Sequence, residues 1–383
     1  MFVLILKIVC GVICGGIVLA HLSMYIGLFA TAVMERRGKR TSSDTDLSVS
    51  VIVPARDEEK LIKRLLDSLD AQTCKKFQII LVNDRSQDNT GKVMADFAKD
   101  KSSATVITLT EDPAIGNPKL NALISGVKAA TGDILMFTDA DCIAPPGWVE
   151  EISKRFEDER LGVILGPIET CKTGTLLSIF HSFDHAFKYS YTAGCAGIGM
   201  PTGGFGNNLS VRKKTVEEIG GLESIEVTST EDAALISRIR AVTSMRARAL
   251  FSRKVAVLTE PQPGWKALTE QEIRWHTGGL FSPDMQTRLA YGFIMIYLTL
   301  SVLSIPACFF VPGLSVLPIV SFVTMSLMAV VAGLFTSQPL VSYWLVLVPF
   351  IILSMGYNSY LTIKALLKPA LFWKGTRLDF SKR

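Results

Sequence analysis

Asp139 and Asp141, two residues apart in Thr138-Asp139-Ala140-Asp141, are the most chemically suggestive pair in this 383-residue chain. Carboxylates so spaced beyond a strand can hold a hard divalent cation, Mg2+ or Mn2+, that keeps positions open for diphosphate oxygens. Two more acid-rich turns follow apolar runs, Pro54-Ala55-Arg56-Asp57-Glu58-Glu59 and Asn83-Asp84-Arg85-Ser86-Gln87-Asp88. Any one of them is ordinarily a helix cap or a solvated loop. Three at successive strand ends are harder to explain that way. Lys119, at a predicted helix start after Gly116-Asn117-Pro118, can add a point charge for phosphate, although singly it reads as a surface lysine. No Gly-x-x-x-x-Gly-Lys-Ser/Thr occurs, so a P-loop nucleoside triphosphatase has no support.

The elements that must position these residues lie between about Ser42 and Met285, where short β-branched runs alternate with amphipathic stretches. That pattern predicts an α/β domain built on a mostly parallel sheet. The expected strands are Val49–Pro54, Phe77–Asn83, Ala104–Leu109 and Asp133–Thr138, and the expected crossover helices Glu59–Gln72, Asn89–Lys99 and Lys119–Ala130. Ligands bind beyond the carboxyl ends of such strands, where the acidic turns fall.

The ends of the chain are different. With 49% apolar residues and a mean hydropathy of +0.34, the sequence is too apolar for an ordinary soluble protein of this size. Phe2–Val33 is interrupted only by Lys7 and His21 and is long enough to cross a hydrocarbon core about 30 Å thick. A signal peptide ending near Ala30-Thr31-Ala32 is the competing reading, but its apolar region would be about 7–15 residues. Glu35-Arg36-Arg37-Gly38-Lys39-Arg40 follows, and Lys and Arg beside a span mark the cytoplasmic side. Three further apolar stretches, Leu289–Phe310, Leu314–Phe335 and Leu340–Leu366, are separated by Val311-Pro312-Gly313 and Thr336-Ser337-Gln338-Pro339. The organisation expected is thus an anchor over residues 1–34, a domain over 42–285, three apolar segments over 289–366 and a basic tail over 367–383. Three C-terminal crossings would leave that tail, with Lys368, Lys374, Arg377, Lys382 and Arg383 and with Lys364 just before it, outside. Either one segment is re-entrant or interfacial, or the tail breaks the charge rule.

The net charge of +5 comes from cations clustered near apolar spans, not from a basic face, so no nucleic acid partner is indicated. Seven scattered cysteines without a Cys-x-x-Cys pair argue against a disulfide framework or a cysteine-rich zinc site. His181 and His276 are not paired at ligand spacing and read as structural or surface histidines.

Taken in order, Val51-Ile52-Val53-Pro54-Ala55-Arg56-Asp57-Glu58-Glu59, Val82-Asn83-Asp84-Arg85-Ser86, the Asp-x-Asp pair, Gly206-Asn207-Asn208, Thr230-Glu231-Asp232 and Gln271-Glu272-Ile273-Arg274-Trp275 resemble the membrane-bound family 2 glycosyltransferases. The resemblance covers nearly the whole chain. It implies a GT-A, Rossmann-like cytosolic domain with transmembrane helices at both ends, in a multi-pass membrane protein. It also implies that Pro54, Glu58 and Asp84 line the nucleotide site, with Asp84 accepting from the base, and that Asp139 and Asp141 handle metal and diphosphate. Gln271, Arg274 and Trp275 match Gln-x-x-Arg-Trp, which in the family lies on an interfacial helix, here near 267–280, and closes over donor diphosphate and acceptor. The family commonly has Asn where this chain has Asp57.

An acceptor hydroxyl is a poor nucleophile, so a carboxylate must take its proton while cations neutralise the departing nucleoside diphosphate. Asp232, beside Glu231, fits the base, and Lys119 and Arg274 fit the leaving-group side. A single base without a separate nucleophile predicts inversion at the anomeric carbon. The expected activity is transfer from a nucleotide-sugar donor, UDP-linked, to a membrane lipid or lipid-linked glycan acceptor at the cytosolic face. The alternatives are a processive exopolysaccharide synthase and, from another class, a catalytically silent nucleotide-sugar-binding subunit. The basic cluster after the anchor also fixes an orientation. A reporter fused after residue 40 should read as cytosolic, and an exported signal would overturn that orientation.

Overall fold

A computed structural model describes residues 1–38, 46–113, 116–335 and 340–380. Lys39, Arg40, the turn 336–339, Lys382 and Arg383 lie outside the described residues. The chain opens with α1 (Phe2–Gly38), then β1 (Val49–Ala55), α2 (Ile62–Asp70), β2 (Gln78–Asp84), α3 (Thr90–Ala98), β3 (Ala104–Leu109), α4 (Pro118–Ala129) and β4 (Ile134–Phe137). Each predicted strand and crossover helix of that region is present, displaced by a few residues at most at either end. Next come β5 (Cys142–Ile143), α5 (Trp148–Ser153), β6 (Leu161–Leu165), β7 (Ile168–Thr170), α6 (Leu176–Gly197), β8 (Leu209–Arg212), α7 (Lys213–Glu218), α8 (Glu231–Val242), β9 (Arg246–Ala249), β10 (Val257–Thr259) and α9 (Trp265–Leu280). The chain then runs through α10 (Met285–Cys308), α11 (Val316–Phe335) and α12 (Leu340–Leu366) to β11 (Phe372–Trp373) and β12 (Thr376–Arg377).

Seven strands form the main sheet in the order β3-β2-β1-β4-β8-β6-β9. β1 pairs parallel with β2 and β4, β2 with β3, and β6 with β9, while β8 runs antiparallel to both neighbours. The apolar run of β1 is buried at every residue, as a strand covered on both faces must be. Parallel pairing brings the ends of β1, β2 and β4 to one edge, and with them Glu58, Asp84 and Asp139. A smaller sheet, β5-β10-β7, closes the far side of that edge.

α1, α10, the segment Pro312–Leu334 and the segment Val346–Leu366 are long and apolar enough to cross a membrane. α1 is bound to the domain through α6. A Cβ on Gly27 would lie 2.0 Å from the Gly194 carbonyl oxygen, and one on Gly197 would lie 1.8 Å from that of Gly27. Glycine at these crossing points therefore permits backbone contact, and Thr31 Oγ1 donates to the Ala193 carbonyl at 2.9 Å. His21, an oddity in an apolar run, faces inward, its Nε2 2.7 Å from the Tyr191 hydroxyl and 3.3 Å from that of Tyr297. Glu35 closes the far end of α1, accepting from the backbone N–H groups of Phe251 and Ser252 at 2.9 and 3.0 Å.

The tail folds back. Lys374 and Gly375 both have positive φ, 46° and 76°, the geometry of a two-residue hairpin turn between β11 and β12. Arg56 Nη1 donates to Thr376 Oγ1 at 2.9 Å, and the Asp379 N–H donates to the Gly116 carbonyl at 2.9 Å. A Cβ on Gly116 would lie 1.5 Å from the Asp379 oxygen, so only glycine admits this contact.

A chain end docked on the domain lies on the domain's side of any bilayer. α10 leaves the domain beside Thr202, to whose carbonyl Thr287 Oγ1 donates at 3.1 Å, and the turn at Gly313 meets Lys7 near the far end of α1. α12 packs along α9, with the Tyr357 hydroxyl 3.1 Å from Thr269 Oγ1, and sets Phe350 edge-on to Phe180 and Phe183 of α6. Crossing by all three C-terminal helices is incompatible with a docked hairpin. Reporters placed after residue 40 and at the C-terminus should therefore read on the same side, and opposite readings would show that the hairpin does not dock.

Candidate active site

A cavity of about 730 Å³ begins where β1 and β4 end and extends to α10. Pro54 and Glu58 form one wall. The Glu58 N–H donates to Thr90 Oγ1 at 2.7 Å, fixing the turn, and Lys374 Nζ donates to Glu58 Oε1 at 2.6 Å. Burial raises the Glu58 carboxyl above its ordinary range, and Lys374 opposes that rise. Asp57, with φ 54°, accepts from the Gln87 N–H at 2.7 Å and so ties the β1 and β2 loops together.

Lys119 sits in the first turn of α4, a poor place for a cation beside the positive end of a helix dipole. Asn117 caps that turn by accepting from the Leu120 N–H at 3.2 Å. Two carboxylates compensate the ammonium, Asp139 at 2.9 Å and Glu231 at 3.3 Å. Burial disfavours the ammonium, yet these neighbours outweigh it and hold Lys119 above the ordinary lysine range. Asp141 has no such partner, and its pKa is pushed up to about 7 by burial and by Asp139 and Glu58.

Asp139 and Asp141 therefore crowd negative charge that a hard cation would relieve, and their oxygens suit Mg2+ or Mn2+. Among the described residues no cluster of three or more His, Cys, Asp or Glu groups forms a protein cage for metal. That donor set fits a cation that takes its remaining ligands from phosphate and water.

Glu231 and Asp232 open α8. Glu231 is drawn to Lys119 and lies 3.4 Å from Asn117 Nδ2, while Asp232 faces the cavity and accepts from the Ala233 N–H at 2.9 Å. Burial and the adjacent Glu231 push Asp232 up to about 7, despite that N–H and Lys119. A carboxylate of that basicity suits proton abstraction near neutrality.

α9 presents Gln271, Arg274 and Trp275 together to the cavity. Spacings of three and four residues align them on one face. Arg274 Nη1 donates to the Phe372 carbonyl at 3.1 Å, and the Arg274 carbonyl accepts from Ser229 Oγ at 2.8 Å. The Trp275 ring meets Phe205 edge-on with centroids 6.1 Å apart.

Of the residues singled out in the sequence, Pro54, Glu58, Lys119, Asp139, Asp141, Glu231, Asp232, Gln271, Arg274 and Trp275 all line this cavity. Asp84 does not. It is fully buried at the end of β2, with Arg85 Nε and Nη2 donating to its two oxygens at 2.8 and 3.2 Å. A base-accepting role would require that pair to open. Four contributors were given no place in the site by sequence reasoning. Trp373 and Lys374 reach the cavity from the tail, where only the Lys-Gly turn signalled structure. His181 and His276 are buried in the cavity wall, beside Asp184, Lys188 and Glu272, whose i, i+4 and long-range pairing had no motif to announce it.

The comparisons with known proteins agree with this geometry. Residues 50–219 match the family model for glycosyl transferase family 2. The chain is 27% identical over 238 residues to a probable glycosyltransferase, YdaM, of Bacillus subtilis, covering 61% of this chain and 55% of that one. It is 25% identical over 315 residues to a beta-monoglucosyldiacylglycerol synthase of Trichormus variabilis, covering 76% and 64%. A solved structure, the mannosyltransferase PcManGT from Pyrobaculum calidifontis in complex with GDP-Man and Mn2+, matches with a TM-score of 0.56 at 18% identity, over 94% of this chain and 98% of that one. The chain thus spans 55% and 64% of the length of these two curated relatives. The mostly parallel sheet is a GT-A glycosyltransferase fold, and the chain carries a glycosyl transferase family 2 domain.

Proposed function

We propose that this protein is an inverting glycosyltransferase that moves a sugar from a nucleotide-sugar donor to a hydroxyl of a membrane lipid or lipid-linked acceptor. The observation that carries this reading is the continuity of one cavity, from Asp139 and Asp141 past Asp232 to Ile294, Met295 and Leu298 of α10. α10 is one of the helices apolar enough to cross a membrane. A polar donor end and an apolar end on such a helix suit an amphiphilic acceptor whose hydroxyl is presented at Asp232. The relatedness to a beta-monoglucosyldiacylglycerol synthase points the same way.

In the proposed reaction, the acceptor oxygen attacks the anomeric carbon as Asp232 accepts the hydroxyl proton. The bond from that carbon to the diphosphate oxygen breaks, and the electron pair leaves with the nucleoside diphosphate. One displacement inverts the configuration. Lys119 and Arg274 face the charge that develops on the leaving group, and their fixed positions remove reorganisation from the step. Asp139 and Asp141 would hold Mg2+ or Mn2+, which when bound supplies Lewis-acid neutralisation of the diphosphate. Trp275 forms an aromatic wall for the sugar or acceptor.

Asp232→Asn should lower turnover by about 10²–10⁴-fold with nucleoside diphosphate affinity little changed. Turnover within a few-fold of wild type would remove Asp232 as base. Because its carboxyl is raised to about 7, the base is protonated below that pH and available above it. With excess Mn2+, the kcat/KM profile should be flat on the alkaline side and fall about tenfold per unit below pH ~7. Asp141 is raised to about 7 as well, so protons compete with metal there, and excess Mn2+ should recover that part of the acid loss but not the part due to Asp232. Chelation should abolish transfer, with Mg2+ or Mn2+ restoring it, and full activity in a chelator-stripped sample would discard the metal role. Lipid extracts from cells with and without the protein should differ by a single hexose or N-acetylhexosamine increment. A ladder of increments would instead identify a processive synthase.

A further inference from the structure

Behind Trp275 the cavity wall holds a charge cluster for which the proposed reaction gives no use. Lys188 of α6 lies 2.7 Å from Asp184 one turn earlier and is ion-paired with Glu272 of α9. The two carboxylates are buried, with side chains 5% and 1% exposed, whereas Lys188 is 26% exposed. Its ammonium stands 5.2 Å from the centroid of the Trp275 ring, within cation–π range. His185, one turn before residue 188 on the same face, places its ring 6.1 Å from Trp275 and fixes its own Nδ1 2.9 Å from Thr170 Oγ1. Burial first, then His181 and Lys188, keep His185 far below the ordinary histidine range, so it sits neutral beside the cation.

A half-buried lysine with two buried carboxylates brings little net stability, because desolvation of the charges offsets their attraction. A Leu or Met in its place would pack at less cost. What the cation adds is geometry, since the bond to Glu272 ties α9 to α6 three residues before Trp275, and the ammonium fixes the ring that α9 carries. We infer that Lys188 is a positioning residue for the reaction, holding Trp275 as the wall against which the acceptor is aligned, with Asp184 and Glu272 setting the ammonium in place. This rests on the glycosyltransferase reading and deepens it, because it assigns α6 to the acceptor half of the site and leaves the donor half to Lys119, Arg274 and the acidic pair.

The test uses the full-length protein in detergent, with Lys188→Met, Lys188→Arg, Trp275→Ala, Trp275→Phe and the double variant Lys188→Met/Trp275→Ala. The near-ultraviolet circular dichroism of Trp275, taken as wild type minus Trp275→Phe, should be lost when the same difference is taken on a Lys188→Met background and kept on a Lys188→Arg background. This arm needs no turnover. Binding of UDP and GDP with Mn2+ should stay within about twofold in Lys188→Met, while transfer falls about tenfold or more and donor hydrolysis by water persists. In Lys188→Arg, transfer should recover to within a few-fold of wild type. The decisive result is the coupling. If Lys188 acts through Trp275, the double variant is no slower than Trp275→Ala, whereas independent losses would multiply and overturn the assignment.

Should Lys188→Met fail to fold, Lys188→Met/Glu272→Gln removes both charges of the pair and keeps the inference testable. A role in charge balance alone predicts that this variant regains stability and transfer together, which would also overturn the assignment. Regained stability without transfer supports it. A wild type that binds neither UDP nor GDP and hydrolyses no UDP-glucose, UDP-N-acetylglucosamine or GDP-mannose would defeat the glycosyltransferase reading, leaving the dichroism arm to decide the role of Lys188 by itself.

Discussion

Lys119 is the point on which the site depends. It is a mostly buried ammonium, 17% exposed, at the wrong end of a helix dipole, and it is held there by Asp139 from one side of the sheet edge and Glu231 from the other. Three loops that the sequence places far apart, before α4, after β4 and before α8, meet at this one cation. Removing the ammonium would leave two crowded carboxylates without compensation, at a cost that water reaching the partly exposed Asp139 reduces. Burial first, and then the same crowding, raises Asp141 and Asp232, which have no comparable cation of their own. The raised carboxyls at Asp232 and Asp141 are thus two outcomes of burial in one unbalanced field, with Lys119 absorbing mainly the part that falls on Asp139 and Glu231.

α6 gives the site its second reference point. One face of this helix touches α1 with backbone contact at Gly27, Gly194 and Gly197, and another faces α9 through Asp184 and Lys188. Close packing of this kind transmits position with little slack, because neither glycine surface nor buried ion pair can slide without losing contacts. α1, the longest apolar helix of the chain, is therefore connected rigidly to the wall that carries Trp275.

Much of this was readable in the residues. Strand and helix order through β4 followed from alternation of apolar runs, and the acidic strand ends converged because parallel strands must bring their carboxyl termini to one edge. Ten of the eleven residues singled out line a single cavity, since short motifs at loop ends survive any detail of packing. Asp84 departs from the set because Arg85, its neighbour in sequence, adopts φ 55° and turns back onto it, a local choice that no periodicity encodes. The Lys188 cluster was unreadable for a different reason. Its partners sit 84 residues apart, and its histidines, buried and neutral, have no spacing that distinguishes them from surface ones.

The tail shows how a charge pattern can mislead about place. Read as composition, residues 367–383 are a basic segment attracted to the cytoplasmic face, which conflicts with three crossings before it. The conflict dissolves when Phe372–Arg377 is seen to be a hairpin and the described part of the tail to have specific partners: Lys374 on Glu58, Thr376 on Arg56, Asp379 on Gly116 and the Phe372 carbonyl on Arg274. Those contacts tie α12 down at its end, and α12 in turn lies against α9 and α6. The helix that sequence counts as a fourth crossing is thus held at both flanks by parts of the catalytic domain. Its apolar residues also pack against Phe180 and Phe183 of α6, so the apolarity of α12 reflects burial in the protein as well as a length sufficient to cross a membrane.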